Sequence, residues 1–111
     1  MSIREEWKNC TGVSSLNITK IFPTKQRGVL ALVEDAKRKP QVEKIIIFGS
    51  SVTYKCNPWS DIDVLVYASD YAQLHGSKEQ VYDIIYSFNA DETLLKEVEK
   101  TGVLVYERHA T

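Results

Sequence analysis

Cysteine is scarce in this chain of 111 residues: there are two, Cys10 and Cys56, and no Cys-x-x-Cys spacing. That count excludes a disulfide-dense miniprotein and a cysteine-built metal centre. A reduced, cytoplasmic protein is the simplest expectation, with a Cys10–Cys56 bridge the less economical alternative. The two histidines, His75 and His109, stand apart, so no Cys/His cluster supports zinc, and both are expected at the surface. No apolar run approaches the ~18 residues that span a bilayer. The longest, Ile45 to Phe48, is strand-sized. The start, Met1-Ser2-Ile3-Arg4-Glu5-Glu6-Trp7, is polar and acidic where a secretory signal needs an apolar stretch, so neither membrane nor export is expected. Neither charge dominates: 14 Lys plus Arg against 15 Asp plus Glu leave a net charge of -1. A chain so balanced is not built around a strong field for DNA or an anionic membrane. Repeats, low-complexity tracts, the P-loop, GxGxxG and HExxH are all missing, as is the glycine an EF-hand loop requires.

What is present is ordinary for one folded domain: 43% hydrophobic and 26% charged residues. Thr11–Ser15 reads as a loop, and Leu16, Ile18, Ile21 and Phe22 as a short element packed on the core. Pro23-Thr24 is a helix start. Val29, Leu32, Val33 and Ala36 follow the i, i+3, i+4, i+7 spacing of one helical face. Lys37-Arg38-Lys39 falls in the last turn, and Pro40 stops the helix. Cations at the negative end of a helix dipole explain that run more simply than a nucleic-acid patch does. Lys44–Phe48, branched and apolar, predicts a strand buried on both faces. Residues 50–60 read as a loop with one helical turn, Ile62–Tyr67 as a second strand, and Ser69–Lys78 as a connection. Val81–Tyr86 reads as a third strand. Asn89 or Asp91 caps a helix that runs through Lys100 with Leu94, Leu95 and Val98 facing inward. Gly102 takes the C-cap position, and Val103–Tyr106 makes a fourth strand. The order predicts an α+β fold, an α/β sandwich with a single mixed β-sheet flanked by helices.

Three features in the middle carry chemistry. Gly49-Ser50 directly follows the buried strand, Asp61-Ile62-Asp63 opens the next after a gap of ten residues, and Asp83 lies within the third. Alternation puts Asp61 and Asp63 on one face of the sheet, about 6–7 Å apart. Carboxylates so placed repel unless a cation lies between them, and hard cations such as Mg²⁺ take oxygen ligands together with substrate phosphates. With Asp83 from an adjoining strand, three carboxylates suffice for two metals of the kind that serve phosphoryl or nucleotidyl transfer. Asp83 also interrupts an apolar strand, which is unfavourable unless it is paired, bound to a cation or solvated at a sheet face or edge. A glycine ending a buried strand lets a ligand approach the backbone, and Ser50 adds a donor at an anion site.

Phe48-Gly49-Ser50, the ten-residue gap and Ser60-Asp61-Ile62-Asp63-Val64 resemble the signature of the DNA polymerase β-like nucleotidyltransferase superfamily. The resemblance is closest to its minimal, single-domain members, the MNT proteins. It covers residues 25–107, with Thr101–Glu107 similar to the family's closing strand. It implies the polymerase β-like nucleotidyltransferase fold, with residues 1–22 a partly ordered N-terminal extension and 23–111 the nucleotidyltransferase domain. It implies nucleotide binding by Gly49 and Ser50, with Ser60 and Lys55 added to that set. Asp61, Asp63 and Asp83 become the catalytic and metal-binding carboxylates for two Mg²⁺ ions. The activity implied is transfer of a nucleoside monophosphate, AMP from ATP, to an acceptor hydroxyl, with Asp83 as general base. Minimal members are often paired with a small helical HEPN partner in toxin–antitoxin systems, so such a partner is expected to present the acceptor. A homo-oligomer and a nucleic-acid acceptor stay open, and a small-molecule acceptor would need a dimer to complete the pocket. One departure matters. Where many members carry a small residue, then Arg and Gly, this chain has Val52, Thr53 and Tyr54, with Lys55 as a substitute cation. The missing arginine motivates a rival: a non-catalytic module of the same fold that inhibits a partner by contact.

Trp59 has two readings, a stacking surface for a nucleobase and packing of the loop against the sheet. The second is plainer and is the expectation. Tyr54, Tyr67, Tyr82 and Tyr86 are expected on sheet faces.

Overall fold

Three consecutive isoleucines set the middle of the fold. Ile45, Ile46 and Ile47 are buried although successive strand residues point to opposite faces, so their strand is covered on both sides. The computed structural model describes residues 6–108. Its elements are α1 (Pro23–Ala36), β1 (Val42–Phe48), β2 (Ile62–Ala68), β3 (Tyr82–Tyr86), α2 (Glu92–Thr101) and β4 (Val103–Glu107). Single 3₁₀ turns occupy Ile18–Lys20, Gly49–Val52 and Ser87–Asn89. The strands form one mixed sheet in the order β3-β2-β1-β4. β1 runs antiparallel to both β2 and β4, and β2 runs parallel to β3. This is the α+β sandwich the element order predicts. Among the described residues no helix is long and apolar enough to cross a membrane.

The two faces have separate cores. Val29, Leu32, Val33 and Ala36 of α1 pack with Ile45, Ile47, Val64, Val66, Val103 and Val105. On the other face, Val98 of α2 is buried with Ile46 and Leu65, flanked by Leu94, Leu95 and Leu104. Pro23 starts α1, where its missing N–H loses no bond. Asp91 caps α2 by accepting from the Leu94 N–H at 2.8 Å. Ile18 and Ile21 join the first core, so the segment before α1 contributes to it. The buried side chain of Gln26 ties that segment down, accepting from the Cys10 N–H at 2.7 Å and donating to the Lys8 carbonyl at 2.9 Å.

Several local expectations are corrected. Leu16 is exposed rather than packed. Helix α1 ends at Ala36, so Lys37-Arg38-Lys39 lies beyond its last turn. The carbonyls of Ala36, Lys37 and Lys39 instead accept from the guanidinium of Arg108, which β4 delivers from across the fold. Gly102 does follow α2, but with φ -80 it is not left-handed. Crowding explains it better: a Cβ there would lie 2.5 Å from Ile46 Cγ2. Tyr54 is 69% exposed on a loop, not on a sheet face. Both cysteines are free. His75 is exposed, while His109 and the first residues, 1–5, lie outside the described residues.

Candidate functional site

The parallel pairing of β2 with β3 sets Asp63 directly beside Asp83. Neighbouring strands lie about 4.8 Å apart, so the two carboxylates share one sheet face as adjacent side chains. By alternation that is the face of Leu65 and Ile85, the one α2 covers. Asp61 is exposed just ahead of β2. Burial, then the charges of Asp83 and Asp61, push the Asp63 carboxyl above its ordinary range. Asp83 is exposed, and β3 is an edge strand, so this aspartate bears no burial penalty.

Across the antiparallel pair, Phe48 at the end of β1 lies opposite Asp63. Gly49 follows with φ +73, a backbone conformation that disfavours any Cβ. An ideal Cβ on Gly49 would lie 2.2 Å from Asp63 Oδ2. The aspartate therefore occupies the space a side chain would take, and the glycine is required twice over. The bend then closes on itself: the Ser50 carbonyl accepts from the Thr53 N–H at 3.0 Å and from Thr53 Oγ1 at 3.1 Å. Thr53, at the position of the missing arginine, thus turns its hydroxyl into the bend. The carbonyl of buried Ser51 accepts from the Phe22 N–H at 2.8 Å, anchoring the bend to the start of α1.

The loop between bend and Asp61 is held by a residue that sequence reasoning missed. Lys25 is 1% exposed. Its ammonium donates to the Ser60 carbonyl at 2.5 Å, Gln80 Oε1 at 3.2 Å and the Pro58 carbonyl at 3.4 Å. It thereby ties α1 to the approaches of both β2 and β3, the two strands that carry the aspartates. A signal existed: Lys25 lies four residues before Val29 on the apolar stripe. Tyr82, next to Asp83, makes a second tie, donating to the Gly28 carbonyl at 2.7 Å and accepting from the Ser77 N–H at 2.8 Å. Ser60 itself serves the turn, its hydroxyl accepting from the Asn57 N–H at 3.3 Å. Lys55 is exposed on the loop. Trp59 does not pack against the sheet: it is 89% exposed.

Among the described residues, no three His, Cys, Asp or Glu side chains are gathered closely enough to hold a metal ion as they stand. The donor set nevertheless fits a hard divalent cation. It consists of carboxylate oxygens, it is electrostatically frustrated at Asp63, and the bare Gly49 leaves Asp63 room beside it. The fold sets where these backbone positions lie, while a carboxylate reorients about its own side-chain bonds. A cavity of about 480 Å³ lies at the opposite end of the sheet, lined by Lys44, Tyr67 and Glu107 among others. There, burial and the hydrogen bond to Glu99 push the Tyr67 hydroxyl up to about 12.

A mixed sheet that sets aspartates of adjoining strands beside a Gly-Ser bend is the architecture of a nucleotidyltransferase-type domain. The family model described as polymerase beta, nucleotidyltransferase (Polbeta) matches residues 31–111, and the chain belongs to that family. The match begins within α1, after Lys25. No curated protein matches the chain.

Proposed function

We propose that the protein is a Mg²⁺-dependent nucleotidyltransferase that moves AMP from ATP to an acceptor hydroxyl on a partner protein. The observation that carries this reading is the register of β2 and β3, which pairs Asp63 with Asp83 next to the bare backbone of Gly49. Asp61, Asp63 and Asp83 would hold two Mg²⁺ ions, which when bound neutralise the triphosphate and favour ionisation of the acceptor. Gly49 lets the Asp63 carboxylate sit against the end of β1, and Ser50 and Lys55 supply a hydroxyl and an ammonium to the phosphate oxygens. In the reaction a bond forms between the acceptor oxygen and the α-phosphorus, and the bond to the bridging oxygen breaks, releasing pyrophosphate. Asp83, exposed and on an edge strand, would take the acceptor's proton.

The acceptor is assigned to another chain, in keeping with the resemblance to the minimal members of the family. A small helical partner of the HEPN kind fits this reading, as antitoxin to toxin. A cytoplasmic setting suits the free cysteines, one of them exposed. The test is transfer of label from α-labelled ATP to a coexpressed partner, followed by mass measurement. Wild type is expected to add one nucleoside monophosphate, and Asp63→Asn none while keeping its circular dichroism spectrum. Undiminished transfer by Asp63→Asn, or an unmodified partner, would overturn the proposal.

One observation favours the rival, a binding module that inhibits by contact: Thr53 spends its hydroxyl inside the bend where relatives place a cation. Calorimetry separates the two readings, since a pure interaction module need bind neither ATP nor Mg²⁺.

A further inference from the structure

Trp59 combines a free side chain with a tightly held backbone. The residue is 89% exposed, so the core gains almost nothing from it. Its backbone N–H donates to Asn57 Oδ1 at 2.9 Å, and the Ser60 N–H closes the turn onto the Asn57 carbonyl at 3.0 Å. The carbonyls on either side of it, Pro58 and Ser60, are both gripped from below by the buried Lys25 ammonium. A turn fixed from within while its largest side chain stays in solvent is preorganised for a contact outside the chain.

Two further facts identify the contact. Trp59 precedes Asp61 by two residues, so their Cα atoms lie at most about 7 Å apart. The backbone that carries the indole thus lies within a nucleotide's length of the backbone that carries Asp61. Its neighbours in the turn, Asn57, Pro58 and Ser60, are polar or small, and Asn57 and Pro58 are exposed. A protein-docking tryptophan usually sits within a broad, contiguous apolar patch, whereas a flat ring flanked in its turn by asparagine and serine suits another flat ring.

We propose that Trp59 is the stacking platform for the nucleobase of the bound nucleoside triphosphate, held in place by the Lys25-anchored Asn57–Ser60 turn. This rests on the nucleotidyltransferase reading and adds to it the residue that contacts the base. Stacking accepts any base, so the platform supplies affinity for nucleotides over bare polyphosphate rather than choice among bases.

The chain has two tryptophans, so Trp7→Phe leaves Trp59 as its only indole. In that background, with Mg²⁺ present, ATP is expected to quench the emission saturably, and inorganic tripolyphosphate to leave it unchanged. By calorimetry on the full chain, Trp59→Ala should weaken ATP binding about 5- to 150-fold. Trp59→Phe should restore most of that loss, and tripolyphosphate should bind both variants as it binds wild type. ATP that binds without altering Trp59 emission, equal quenching by ATP and tripolyphosphate, or full ATP affinity in Trp59→Ala would overturn the proposal while leaving the transferase reading intact. If neither ATP nor tripolyphosphate binds the wild-type chain, both fall together.

Discussion

Replacing Gly49 by alanine tests the central geometry of the site, because two separable costs meet at one Cβ. The first is conformational. At φ +73 an L-residue is left-handed, which costs about 1–2 kcal/mol relative to glycine. The second is steric: the new carbon would lie 2.2 Å from Asp63 Oδ2, so the carboxylate must leave its rotamer, at about 0.5–1.5 kcal/mol. Together they predict a loss of about 1.5–3.5 kcal/mol in urea unfolding. For a chain of this size that corresponds to a fall in midpoint temperature of about 6–14 °C. A double-mutant cycle separates the parts. In an Asp63→Ala background the second cost disappears and the first stays, so the coupling should be about 0.5–1.5 kcal/mol. A Gly49→Ala variant as stable as wild type would refute the left-handed bend. A loss of equal size in both backgrounds would refute the claim that the Asp63 carboxylate fills the glycine's missing side-chain volume.

Two other outcomes follow from the same site. The folded-state value of Asp63 lies above its unfolded value of 3.8, so between the two the native state holds the extra proton and stability falls as pH rises. Thermal unfolding from acid to neutral pH should therefore show wild type losing stability relative to Asp63→Asn through that window, and a relative gain would contradict the assigned repulsion. Lys25→Met strips charged donors from the Ser60 and Pro58 carbonyls and should cost about 1–3 kcal/mol. It should also speed amide exchange at residues 59–62, and unchanged exchange there would mean the lysine does not anchor the turn.

How legible this protein is depends on the range of the interaction. Local signals read well. The spacing of Val29, Leu32, Val33 and Ala36 marks a helix face, the run Ile45–Phe48 marks a strand, and Asp91 marks a helix start, because each depends on neighbours a few residues away. Asp63 is legible as a carboxylate on a sheet face for that reason, since alternation is a property of any strand, whereas Asp61 stands just ahead of β2, where alternation does not govern it. Trp59 reads the wrong way, and Lys25 goes unread. A tryptophan is ordinarily the residue to bury and a lysine the one to expose, yet a turn near the aspartates reverses both.

Chain chemistry alone was enough for a mixed α+β sheet, for the acidic pair and for the glycine at the end of the central strand. The pairing of Asp83 with Asp63 required the folded molecule, because register between strands twenty residues apart comes from packing across the whole sheet rather than from either segment. So did the seating of Gly49 against an aspartate fourteen positions later, and the burial of a lysine whose partners lie on two distant loops. Local propensities operate over one turn or one pleat. Which side chains face each other across a sheet depends on long-range contacts that form together.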